Sequence, residues 1–101
     1  MIFTLMPEQQ IKIRAKDEDL KGTYSNMMQV LHTTKEEFIL DFYFISPPEG
    51  ALSSRVIMSP GHLKRMIRAL EDNVAKYEQK FGKIEEASVP ESSLGFQVER
   101  Q

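Results

Sequence analysis

The chain offers few side chains able to do chemistry, and their spacing narrows the field further. His32 and His62 are the only imidazoles. Neither belongs to an HExxH pair or lies near a cysteine, so a zinc site would need carboxylates gathered by folding alone. His62 reads more simply as an exposed residue in the first turn of a helix. There is no cysteine, which removes disulfides and thiolate nucleophiles. Serines are plentiful, but no GxSxG elbow, phosphate-cradling glycine loop or dinucleotide fingerprint accompanies them. Asp17, Glu18 and Asp19 lack the glycine and the terminal glutamate of a calcium loop, so they read as a solvated connector. Asp41 is the most informative carboxylate, because it interrupts the apolar run around FILDFYF. Buried without a partner it would be costly or protonated. Arg55 is expected diagonally near it, with Asn26 or Tyr43 as a hydrogen-bonding alternative, which makes Asp41 a structural group rather than a general base. No catalytic residue, cofactor-binding residue or metal ligand is expected, and the chain reads as a non-enzyme.

The elements that would position these residues are legible from periodicity. Ser59 to Gly82 carries a helix with both ends marked: Ser59 as N-cap, Pro60 at the first helical position and Gly82 at the close. Leu63, Ile67, Leu70, Val74, Tyr77 and Phe81 alternate at steps of four and three, placing all six on one stripe. Before the helix, Gln10 to Lys16 alternates Ile11, Ile13 and Ala15 with charged residues, the two-residue period of a strand. Gly22 to His32 and Glu37 to Ile45 read as a hairpin turning at Thr33 to Glu36, and Ala51 to Met58 follows the Pro47–Gly50 break. Short connections imply an α+β fold: a four-stranded antiparallel β meander followed by one long amphipathic helix packed on one face. A turn centred between Thr34 and Lys35 sets Leu31 opposite Phe38, Gln29 opposite Leu40, Met27 opposite Phe42 and Ser25 opposite Phe44. Ser54, Val56 and Met58 join that side, the expected seat of the helix. The expected organisation is an arm over residues 1–9, a single domain over 10–84 and a flexible tail over 85–101. Within the tail, Leu94, Phe96 and Val98 form a candidate docking strand.

The opposite face then carries Tyr24, Asn26, Met28, Val30, Ile39, Asp41, Tyr43, Ile45, Arg55 and Ile57. It is too apolar to stay wet on a monomer of 101 residues. It is therefore the candidate interaction face, and self-association through it or through the adjoining sheet edge is expected, a dimer first. The net charge of −2 gives no global field favouring polyanions or membranes. The apolar opening Met1–Met6 is short and lacks a basic lead, so no signal peptide or membrane span is expected, and a cytoplasmic location follows as the default.

The run GTYSNMMQVLHTTKEEFILDFYFISP, followed by SSRVIMSPGHLKRMIRALEDNVAKYEQKFG, resembles a small bacterial family known as domain of unknown function 3467. The phrases YSN, EFILDF, SRVIMSP and the terminal KFG carry the likeness, over residues of about 10–84. The resemblance implies no reaction and supplies no catalytic residue. By analogy of element order alone, two architectures suggest functions. A SecB-like chaperone fold would use two-sided apolar sheets and adaptable methionines to hold protein chains. A PC4-like fold would bind single-stranded nucleic acid, with Tyr24, Tyr43 and Arg55 stacking and pairing while Lys12, Arg14, Lys64, Arg65 and Arg68 meet phosphates. The acidic balance favours the first: a non-enzymatic protein-interaction or assembly module, with single-stranded nucleic-acid binding as the alternative.

Overall fold

Residues 9–88 are described by a computed structural model of the chain. In order they form a single helical turn α1 (Asp17–Lys21), strands β1 (Met27–Leu31), β2 (Phe38–Ser46) and β3 (Glu49–Met58), and the long helix α2 (Pro60–Phe81). The strands make one antiparallel sheet in the order β1-β2-β3. β2 is central because its nine residues, rich in Phe, Tyr, Ile and Leu, suit burial on both faces. Pro47 and Pro48, joined by a cis peptide bond, make the two-residue turn between β2 and β3. The third strand starts at Glu49, two residues before the expected Ala51.

Among the described residues the sheet has three strands where the sequence suggested four. Residues 10–16 are not a strand, and Ile11 and Ile13 are 80% and 87% exposed. Alternation specifies a wet and a dry face but names no neighbour, and here the approach to β1 removes the neighbour. Ser25 Oγ lies 3.0 Å from the carbonyls of both Met27 and Tyr43 and shares its one proton between them, and Ser53 Oγ on β3 donates to the Tyr24 carbonyl. The chain thus enters β1 by crossing from the β3 side, not by doubling back along the outer edge of β1. The charged connector takes a helical turn instead of a plain loop, with Asp19 accepting from the Lys16 N–H at 3.0 Å.

The α2 helix has the expected limits. Ser59 Oγ accepts from the His62 N–H at 3.2 Å, and Gly82, at φ +99°, ends the helix in a conformation that only glycine adopts without strain. Its packing differs from the expectation. None of its side chains is buried, and Ile67, Leu70, Val74, Tyr77 and Phe81 are all exposed. Only Leu40 and Ile45 are buried apolar residues among those described. A single residue, Ser59, links β3 to α2, and its extended backbone carries the helix away from the sheet. The apolar stripe is therefore a property of the helix that its own sheet does not absorb. The arm over residues 1–8 and the tail beyond residue 88, with Leu94, Phe96 and Val98, lie outside the described residues.

Candidate functional site

Strand register decides which side chains share a face, and the observed register is one residue off the expected one. Leu31 pairs with Ile39, Val30 with Leu40, Gln29 with Asp41, Met28 with Phe42 and Met27 with Tyr43. The cause lies in the turn. Thr34 Oγ1 accepts from the Glu36 N–H at 3.1 Å, and seven residues separate the Leu31–Ile39 pair, which centres the turn on Lys35 and not between Thr34 and Lys35. A slip of one residue moves every β1 side chain to the other face. Met28 and Val30 consequently leave the candidate face and join Leu40 and Phe42. Met27, Gln29 and Leu31 take their places.

The β2–β3 half follows the expectation: Phe38 pairs with Met58, Leu40 with Val56 and Phe42 with Ser54. Asp41 and Arg55 are directly opposite each other, closer than the expected diagonal. Of the ten candidate residues, the structure gathers Ile39, Asp41, Tyr43, Arg55 and Ile57 on one face, with Ile45 further along the same side of β2. Tyr24 sits with the opposite face, its ring edge-on to Phe44 at 5.6 Å. Asn26 faces the edge of β2: its amide accepts from the Ile45 N–H at 2.8 Å and donates to the Ile45 carbonyl at 2.9 Å. In this way one side chain continues the ladder beyond the start of β1.

Asp41 is the centre of the face and is 1% exposed. Arg55 meets it as a fork, Nε to Oδ1 at 2.7 Å and Nη2 to Oδ2 at 2.8 Å. The Tyr43 hydroxyl points its one proton between Gln29 Oε1 at 3.3 Å and Asp41 Oδ2 at 3.4 Å. The hydrogen bond from Arg55 holds the Asp41 carboxyl below its usual range against the opposing effect of burial, with the Arg55 charge and the Tyr43 hydroxyl adding to it. Burial first, and then the Asp41 charge, push the Tyr43 phenol up. Arg55 is pushed up by its hydrogen bond to Asp41. A carboxylate with both oxygens engaged and a lowered pKa is a poor proton acceptor, so this constellation fixes strands together and has no evident reactive group. Gln29 is the member that sequence reasoning missed, and only the correct turn length would have found it. Around the polar centre, Leu31, Ile39 and Ile57 leave an apolar rim, with Leu31 and Ile57 in solvent.

Of the basic residues proposed for phosphate contact, Lys12 and Arg14 lie on the irregular approach before α1, while Lys64, Arg65 and Arg68 lie on α2. Lys64, Arg65 and Arg68 line one open hollow, and Arg65 Nη2 lies 3.0 Å from His62 Nδ1. Arg55, the base-pairing candidate, is committed to Asp41. Among the described residues, no three His, Asp or Glu side chains converge as a metal would require, and no helix is long and apolar enough to cross a membrane.

Comparison with known families matches residues 3–86 to a protein of unknown function, DUF3467. No curated protein and no solved structure matches the chain. The match takes in residues 3–9, which the motif-based resemblance left out, and it spans every element described above. The chain belongs to the DUF3467 family.

Proposed function

We propose that this chain is a non-enzymatic, self-assembling module that binds protein. The observation that carries this reading is the imbalance between apolar surface and core: both sheet faces and a whole helix stripe present large apolar side chains, while Leu40 and Ile45 are the only buried apolar residues among those described. Soluble monomers seldom leave more than roughly a few hundred Å² of contiguous apolar surface in water. Among the described residues no further strand pairs with the outer edge of β1 or β3, where an extended segment of another protein can add by main-chain pairing. The SecB-like and PC4-like analogies both rest on a four-stranded order, so the three-stranded sheet gives neither specific support. Between protein and single-stranded nucleic acid, the commitment of Arg55 and Tyr43 to Asp41 argues for protein, since two of the three base-contacting candidates are already engaged and Tyr24 lies with the opposite face.

The test combines sedimentation with two ligands. The expected result is a species heavier than the 11.7 kDa monomer that retards aggregation of a chemically unfolded model protein. A labelled single-stranded oligonucleotide should not bind at physiological salt. An 11.7 kDa species at high concentration would remove the assembly reading. Tight oligonucleotide binding with a steep salt slope, weakened by Arg68→Ala, would replace it with the nucleic-acid reading.

A further inference from the structure

The spacing of the exposed stripe on α2 is stricter than a helix needs to cover a sheet. Helices laid on a sheet carry a wide stripe, whereas two helices packed along a seam need only the a and d positions of a heptad. Ile67, Val74 and Phe81 fall at a, and Leu63, Leu70 and Tyr77 fall at d. The flanking e positions are Lys64, Glu71 and Glu78, and the g positions Met66, Asn73 and Lys80, so the seam is narrow and has a largely polar border. We propose that α2 pairs with α2 of a second copy of this chain, antiparallel, along this seam. The proposal rests on the self-assembly reading above and moves the contact from the sheet to the helix.

Area, bulk and charge each favour this occupant. The exposed fractions of Ile67, Leu70, Val74, Tyr77 and Phe81 amount to roughly 570 Å² per protomer, or about 1,100 Å² for the pair, above the roughly 1,000 Å² that a specific interface needs. Orientation is decided by weighing three preferences. β-branched residues at a with leucine at d favour a parallel pair. Bulk opposes this, because a parallel pair stacks Tyr77 on Tyr77 and Phe81 on Phe81 at one end and leaves Leu63 and Ile67 at the other. The Tyr77 and Phe81 rings already form a single wedge, with centroids 5.0 Å apart. Antiparallel pairing sets Phe81 against Leu63, Tyr77 against Ile67 and Val74 against Leu70 of the second copy, giving layers of similar volume along the whole seam. Charge agrees with bulk: antiparallel pairing brings Lys64 beside Glu78 of the other copy at both ends, against one Glu71–Glu71 contact at the centre. Glu78 spends one oxygen on the Ile84 N–H at 2.9 Å and keeps the other for Lys64. Parallel pairing opposes Met66 to Glu71 and Asn73 to Glu78, with no attraction inside the helix.

The absence of native cysteine makes the test clean. Leu63→Cys and Phe81→Cys are prepared separately, then each alone and the two mixed are allowed to exchange subunits under mild oxidation. The expected result is a disulfide-linked dimer from the mixture and none from either variant alone. Ile67→Cys mixed with Tyr77→Cys repeats the measurement one layer inward, should the first pair fold poorly. Cross-linking of Leu63→Cys with itself would overturn the antiparallel seam in favour of a parallel one. Failure of both mixtures, with the native chain still sedimenting as an oligomer, would overturn the seam, put the stripe against a sheet or the tail, and leave the assembly reading standing. A monomeric native chain would end both.

Discussion

Leu70→Asp separates a stripe that serves its own chain from one that serves a second copy. Leu70 is 57% exposed in the single chain, so within one protomer the substitution costs only the difference in helix propensity, about 0.5 kcal/mol. In the antiparallel pair both Leu70 side chains are covered beside the dyad. The exposed part of each is on the order of 115 Å², worth about 3 kcal/mol at ~25 cal/mol per Å², or about 6 kcal/mol for two. At 1.4 kcal/mol per tenfold, dissociation should rise by about four orders of magnitude. Desolvation of the two carboxylates adds to this. The assay is sedimentation equilibrium together with thermal melts at several protein concentrations. The native chain should show a Tm that climbs with concentration, as association linkage requires. Leu70→Asp should sediment as a monomer with a Tm independent of concentration, while Gln79→Asp, off the seam, should behave as the native chain. The reasoning is refuted if Leu70→Asp keeps the native mass. It is refuted equally if the native Tm ignores concentration and the variant merely melts earlier, since the stripe would then belong to an intramolecular core.

Leu40, 1% exposed between Val30 and Val56, is the main buried apolar side chain, and Leu40→Ala should cost about 3 kcal/mol in urea unfolding, with the denaturant slope unchanged. Asp41 has a folded pKa below that of the unfolded chain, so its contribution is fully present above the unfolded value and is lost as pH falls through the lowered folded value. Stability measured from neutral to strongly acidic pH should decline in that window, and Asp41→Asn should flatten that part of the profile. Asn26→Ala removes both side-chain bonds to Ile45 and should cost about 2 kcal/mol, seen as faster hydrogen exchange at the Ile45 amide with the β3 amides little changed.

What the sequence made legible follows physical locality. The helix ends were readable because Ser59 and Gly82 act on their immediate neighbours, and so was the face shared by Ser54, Val56 and Met58, but not the β2–β3 register: the turn is only Pro47–Pro48, which brings Arg55 directly opposite Asp41 instead of diagonal to it. The β1–β2 register was not readable either, since Thr34 adds one residue to a loop whose composition looks the same either way, and with it Met28 and Val30 changed faces. The strand expected at residues 10–16 failed for a different reason: Ile11 and Ile13 alternate correctly, but pairing depends on where Tyr24 and Ser25 tie the chain, which is a tertiary matter. The Asp41–Arg55 contact was anticipated from the cost of burying a lone carboxylate, while Gln29 depended on the register and was missed. The heptad spacing of α2 was visible from the start, yet its meaning required seeing that the sheet leaves it uncovered.

The Asp41–Arg55 fork also bears on how the sheet finds its alignment. β2 is apolar on both faces, with Phe38, Leu40 and Phe42 on one side and Ile39, Tyr43 and Ile45 on the other, so hydrophobic burial discriminates poorly between neighbouring alignments of β2 and β3. Shifted by one step, Asp41 would face Ser54 or Val56; shifted by two, Ser53 or Ile57. A one-step slip turns Arg55 to the other face and strands an ionised carboxylate in a dry environment, and a two-step slip opens the two-bond fork to a diagonal reach, faults costing more than one misplaced methyl group. The pair thus acts as a key in a lock of otherwise interchangeable wards: it admits one alignment and expels the others during folding, whatever its net contribution to the stability of the finished sheet.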